Sequence, residues 1–281
     1  MTDPGFIIIG AMKCGTSTLQ VQLAAQDGVF MTDPKEPNYF SDDDIFAKGP
    51  DWYAALFAGA GAGDLTGEAS THYTKLPTWP DTVARLHAAA PDVKLIYMIR
   101  NPVDRAVSQY IHEWSTERTS ADITRAFADL PEITAYGQYG MQITPFAETF
   151  GREALMLTSL EQFRADPQAE LARIGDFLGL ASPPVFHPDQ AQQNVSAQRV
   201  RRLPLHGLLV DSAPATFLRR RLIPKALRTR IRKARTISNR PDLPDSLRSQ
   251  LEATYTADRD ILAGIFPGHP ALTLCYPFVP S

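Results

Sequence analysis

The feature that most constrains this chain is a strand-to-helix junction at its start. Phe6-Ile-Ile-Ile9 is an apolar, largely β-branched run bounded by Gly5 and Gly10, which reads as a strand buried on both faces. Residues 16–25 then carry Leu19, Val21, Leu23 and Ala24, the apolar content of a helix packed back onto that strand, and Asp27-Gly28 ends it. Between them lies Gly10-Ala-Met-Lys13-Cys-Gly15-Thr16-Ser17-Thr18. A strand leading into a helix is the start of a β-α unit, and strands alternating with helices along the chain imply a parallel sheet covered on both faces, an α/β architecture.

The rest of the chain repeats the unit. Lys94-Leu-Ile-Tyr-Met-Ile99 predicts a second buried strand, and Asn101-Pro102 follows with Pro at the first helical position, where its missing N–H costs nothing. Val103, Val107, Tyr110, Ile111 and Trp114 recur at helical spacing. Ala154-Leu-Met-Leu157 reads as a third strand. Asp166-Pro167 opens a helix through Leu171, Ile174, Phe177 and Leu178 that Gly179 closes, and 244–265 is a late amphipathic helix. The expectation is one domain over residues 1–281: a three-layer αβα fold resembling the phosphate-loop proteins, with a central parallel sheet and a basic helical insertion around 199–240. Residues 58–63 (AGAGAG) are too short for a domain linker.

Composition narrows the function. A net charge of −3 does not suit a protein that coats nucleic acid. No apolar run reaches the ~18–20 residues of a membrane span, and Met1–Gly5 lack a cationic lead, so a soluble, cytoplasmic protein is expected. Two cysteines, Cys14 and Cys275, make neither a disulfide framework nor a four-ligand zinc site. The small net charge hides an asymmetry: residues 199–240 hold 11 Arg, 2 Lys and a single acid, Asp211. That run reads either as a solvated helical face or as a landing surface for an anionic ligand, an acidic glycan or a membrane.

The first loop carries the chemistry. Its glycines let backbone N–H groups turn inward at a helix N-terminus, which forms an anion cradle. Lys13 adds a mobile charge, and Thr16, Ser17 and Thr18 add three hydroxyls. A bare capping turn would not need a lysine at its centre. The nucleoside-triphosphate loop G-x-x-x-x-G-K-[ST] places its Lys after the second glycine, whereas Lys13 precedes Gly15, and the second strand ends in Arg100 rather than in a Mg²⁺-holding Asp. A kinase using Mg-ATP is therefore disfavoured. A polyanion-binding module would leave the first 120 residues unexplained. Arg100 at the carboxyl edge of the sheet, with Ser108 two turns into the next helix, can hold a second phosphate.

The set K-x-G-T-[ST] after one apolar strand and I-R-N-P-x-x-R-x-x-S-x-Y after another resembles the sulfotransferases that use 3′-phosphoadenylyl sulfate (PAPS), most closely the bacterial and heparan-sulfate branch. The resemblance implies that Lys13, Cys14, Gly15, Thr16, Ser17 and Thr18 bind the 5′-phosphosulfate. It implies likewise that Arg100 and Ser108 bind the 3′-phosphate, and that adenosine 3′,5′-bisphosphate is released without a metal. Lys35-Glu-Pro-Asn-Tyr-Phe40 is similar to the family's K-E-x-x-[YF]-F stretch beside the active site, placing Lys35, Glu36 and Tyr39 on the acceptor side. Gly67-Glu68-Ala69-Ser70 resembles G-E-[KA]-[ST], whose Glu is the proposed general base. Ala69 departs from the Lys usual in heparan-type enzymes. Asn194-Val-Ser196-x-x-Arg199 is similar to a late loop that closes over the 3′-phosphate.

On this reading Lys13 stabilises charge growing on the leaving phosphate and Glu68 takes the acceptor proton, with His72 and His112 as rival bases. The acceptor is expected to be a small molecule, a saccharide or a lipid, with a sugar hydroxyl in front. Tyr39, Phe40, Trp52, Trp79 and Trp114 are either its pocket or core.

Overall fold

A computed structural model describes residues 4–190 and 240–280. Five strands, β1 (Phe6–Gly10), β2 (Val29–Met31), β3 (Leu65–Ala69), β4 (Lys94–Ile99) and β5 (Leu155–Ser159), form one sheet of order β2-β3-β1-β4-β5. Every pairing is parallel, with Ile7 opposite Glu68 on one side of β1 and opposite Leu95 on the other. The expected α/β sheet is present, with β1 at its centre.

Side-chain alternation divides the core into two layers. Ile7, Ile9, Leu95, Tyr97, Ile99, Leu155 and Leu157 point to one face. They pack under α4 (Thr82–Ala89), α5 (Pro102–Ser115), α8 (Tyr139–Phe150) and α11 (Asp245–Ile265). Phe6, Ile8, Ile96, Met98 and Met156 point to the other, under α1 (Thr16–Ala24) and α10 (Pro167–Leu178). Short helices fill the connections: α2 (Asp43–Phe46), α3 (Pro50–Ala55), α6 (Ile123–Asp129), α7 (Glu132–Ala135), α9 (Leu160–Ala165) and α12 (Ala271–Leu274). Both faces of the sheet are covered, which is why its strands read as unbroken apolar runs.

The third expected strand sits one residue later and ends two residues later than its apolar letters. Ala154 belongs to a 3-10 turn, and the strand continues through Thr158 and Ser159. Its polar end is satisfied: Thr158 Oγ1 donates to Glu170 at 2.5 Å, and Ser159 Oγ accepts from Gln162 N at the start of α9. Two strands carried no periodic signal. β2 has three residues, and β3 reads Leu-Thr-Gly-Glu-Ala. Gly67 sits in β3 because the Phe6 ring occupies the space its Cβ would need. Of the basic run at 199–240 only Arg240 falls among the described residues; Arg199 and the 194–199 loop lie outside them.

Candidate active site

Four connections leave the carboxyl edge of the sheet side by side, after β1, β2, β3 and β4. The loop after β1 is pinned at its base by Ala11 N donating to Met98 O at 2.7 Å, and turns tightly with Cys14 N donating to Ala11 O at 3.2 Å. Lys13 (φ 70°) and Gly15 (φ 95°) both adopt the left-handed conformation. Alternating backbone of this kind turns successive amides to one side and builds a concave anion site at the head of α1. A side chain at Gly15 would add strain and meet Leu160 at 2.9 Å. Thr16 is buried, while Lys13, Ser17 and Thr18 stay half-buried. Cys14 faces the other way: its thiol is inaccessible, lies 3.5 Å from Tyr139 Oη, and is pushed up to about 11 by burial.

Arg100 meets this loop directly. Its Nη1 donates to Lys13 O at 3.4 Å and its Nη2 reaches Asp104 at 3.4 Å, while Nε is buried with no partner among the described residues. Ser108 is buried on α5, two turns along. Asn101 caps that helix through Val103 N and Asp104 N, and Glu161 accepts from Asn101 N at 2.9 Å. The second arginine of the motif, Arg105, is fully buried and serves the core instead, bonding Gln109 at 2.8 Å and the Ile133 carbonyl.

The loop at 35–40 is laced along the end of β3. Glu36 N donates to Ala69 O at 3.0 Å and Asn38 N to Ser70 Oγ at 3.1 Å. Lys35 pairs with Glu36 at 2.5 Å, and Thr71 Oγ1 donates to the same carboxylate at 3.3 Å. Burial raises the Glu36 carboxyl, but the Lys35 ammonium, helped by Lys75, outweighs it and holds Glu36 below the usual carboxylate range.

Glu68 is enclosed. It has no accessible surface and accepts from Tyr73 Oη at 2.7 Å, Tyr53 Oη at 3.1 Å and Ser70 Oγ at 3.2 Å. Burial pushes it up to about 7 against these three bonds, which pull it down. His72 is half-buried and stacked on Trp79 with centroids 5.7 Å apart. Burial, with Lys75 beside it, lowers it to about 4, so it is neutral at physiological pH, and its Nδ1 has no partner among the described residues. His112 lies in the last turn of α5. Tyr39, Phe40 and Trp114 prove to be core, and Tyr39 stacks on Tyr53 at 4.6 Å; Trp52 and Trp79 keep some surface.

Sequence reasoning missed Lys75, a buried lysine at the exit of the 3-10 turn after β3. Burial lowers it to about 8, although Glu36 and Glu113 favour its charge, and its ammonium lies 5.7 Å from the Tyr136 ring. Nothing in its neighbours in sequence marks it, because its partners come from three other elements. Among the described residues no group of three or more His, Cys, Asp or Glu is placed to hold a metal.

Comparison with known proteins identifies the family and the fold. A family model described as a sulfotransferase domain matches residues 3–207. The chain is 32% identical over 186 residues to heparan sulfate glucosamine 3-O-sulfotransferase 6 of Homo sapiens, covering 63% of this chain and 52% of that protein. It is also 32% identical over 186 residues to the 3-O-sulfotransferase 3B1 of Mus musculus, covering 63% and 46%. It thus spans about half the length of the curated relatives it matches. A solved sulfotransferase from Alicyclobacillus acidocaldarius superposes with a TM-score of 0.69 at 25% identity, over 97% of this chain and 99% of that one.

Proposed function

Because the chain belongs to the sulfotransferase family, we propose that it transfers a sulfuryl group from PAPS to a hydroxyl or amine of an acceptor, with a carbohydrate or glycolipid as the leading class. The observation that carries this reading is that the Arg100 guanidinium, from the end of β4, donates to the Lys13 backbone carbonyl of the β1 loop at 3.4 Å, which brings two sequence-distant motifs together on one edge of the sheet. The donor set fits a doubly phosphorylated nucleotide. The left-handed turn offers amides and hydroxyls to one phosphate, and Arg100, whose buried Nε has no partner among the described residues, and Ser108 offer donors to the other.

When bound, the nucleotide supplies an electrophilic sulfur and a good leaving group. The acceptor oxygen bonds to sulfur as the bond from sulfur to the bridging phosphate oxygen breaks. Lys13 stands in the loop that would receive the growing phosphate charge, where a cation favours the transition state over the ground state. Glu68 is the proposed base. A proton affinity raised by burial to about 7 suits a group that must accept a proton near neutral pH. His72, neutral and near Glu36 and Lys75, orients the acceptor rather than charging that side.

One specific observation favours a second carboxylate: Glu36 retains accessible surface and Glu68 has none. Transfer of ³⁵S-sulfate from PAPS across an acceptor panel tests both readings. Label is expected on a saccharide. Glu68→Gln is expected to lower turnover about 10²–10⁴-fold while titration with adenosine 3′,5′-bisphosphate is unchanged. The same loss in Glu36→Gln, with Glu68→Gln active, reassigns the base, and no label on any acceptor overturns the function. The relatives' names attach two of them to heparan sulfate; that supports a saccharide first in the panel.

A further inference from the structure

Tyr139 is the first residue of α8 and belongs to none of the motifs, yet its hydroxyl touches both walls of the site. It donates to Arg100 O at 2.9 Å, accepts from Arg100 N at 3.4 Å, and lies 3.5 Å from Cys14 Sγ in the phosphate loop. One buried oxygen therefore fixes the backbone of the residue proposed for the 3′-phosphate against the loop proposed for the 5′ end. The ring is fully buried and packs edge-on against Tyr97 at 5.9 Å.

The tyrosine is itself held. Asp258 of α11 accepts from Gly140 N at 2.7 Å and Met141 N at 2.8 Å, capping the turn of α8 that starts with Tyr139. Gly140 allows that approach, since a Cβ there would come 2.5 Å from Asp258 O and 2.9 Å from Leu262 N. The late helix thus reaches the site through one phenol.

We propose that Tyr139 is a positioning residue that sets the spacing between the phosphate loop and Arg100, so that one ligand can engage both. This rests on the PAPS reading above. A ligand that grips two fixed points gains from having their separation preset; a ligand that grips only one does not.

The test is calorimetric titration of the whole protein with adenosine 3′,5′-bisphosphate and, separately, with the 5′- and 3′-monophosphates. Tyr139→Phe keeps the ring and removes the hydroxyl. It is expected to weaken the bisphosphate about tenfold, the scale of one or two lost hydrogen bonds, and to leave each monophosphate within about twofold. Tyr97→Phe, which removes a neighbouring hydroxyl bonded to neither wall, is expected to leave the ratio as in wild type. Equal weakening of all three ligands, or none of any, overturns the proposal while leaving the PAPS reading intact. A wild type with no preference for the bisphosphate withdraws that reading and this role together. Should Tyr139→Phe fail to fold, 3-fluorotyrosine in place of Tyr139 keeps ring and hydroxyl. Its ¹⁹F resonance is expected to move further with the bisphosphate than with either monophosphate, and an equal or absent shift overturns the proposal.

Discussion

At the scale of single residues, burial holds several groups of the candidate site away from their ordinary protonation. Glu68 is the clearest case, because its carboxyl is raised from 4.5 to about 7 by burial. The folded state keeps its proton where the unfolded chain has lost it. The contribution to stability is therefore complete below about pH 4.5 and is lost as pH rises through about 7, a swing on the order of 3 kcal/mol. Urea unfolding at pH 5 and pH 8 is expected to show wild type losing more stability across that window than Glu68→Gln does. Parallel pH profiles for the two would mean that Glu68 ionises normally. Glu68 stood out in the sequence through the resemblance of Gly67-Glu68-Ala69-Ser70 to the family's segment. Its enclosure was not, since Tyr53 and Tyr73 reach it from other elements.

At the scale of elements, the sequence marks those whose burial is one-sided or complete, and hides those whose stability comes from a neighbour. β1, β4, α5 and α10 carry strong patterns and appear where expected. β3 holds a glycine and a glutamate in five residues and is a strand because β1 and β2 pair with it on both sides. The pairing of α8 with α11 is likewise invisible locally. Gly140→Ala sharpens the point: alanine in an open helix gains up to ~1 kcal/mol over glycine, but here the methyl would enter the backbone of α11. Forcing the helices apart is expected to dominate, with a net loss of about 1–3 kcal/mol and a fall of several degrees in the thermal midpoint. A midpoint at or above wild type would show that the two helices yield easily.

At the scale of the whole molecule, a parallel sheet with β1 in the middle brings the ends of β1, β2, β3 and β4 to one edge, and with them every described residue proposed for the nucleotide. A ligand that fits that edge must stabilise the fold. At a hundred times its dissociation constant, adenosine 3′,5′-bisphosphate is expected to add about 2.7 kcal/mol, a thermal shift of roughly 5–10 °C. Mg-ATP is expected to give little shift, and Lys13→Ala to lose most of the shift given by the bisphosphate. A larger response to Mg-ATP would favour the kinase reading. The order of the two loops, the lysine ahead of its glycine and the arginine at a strand end are local facts, so the chain's letters alone determined the architecture and the family. The letters could not say that Cys14 faces inward, that Arg105 belongs to the core, or that Tyr139 and Asp258 brace the site. Tyr139 lies 125 residues from Cys14, and Asp258 lies 118 from Gly140. Pattern records which face of an element is apolar, whereas only packing decides which distant polar group a buried one will meet.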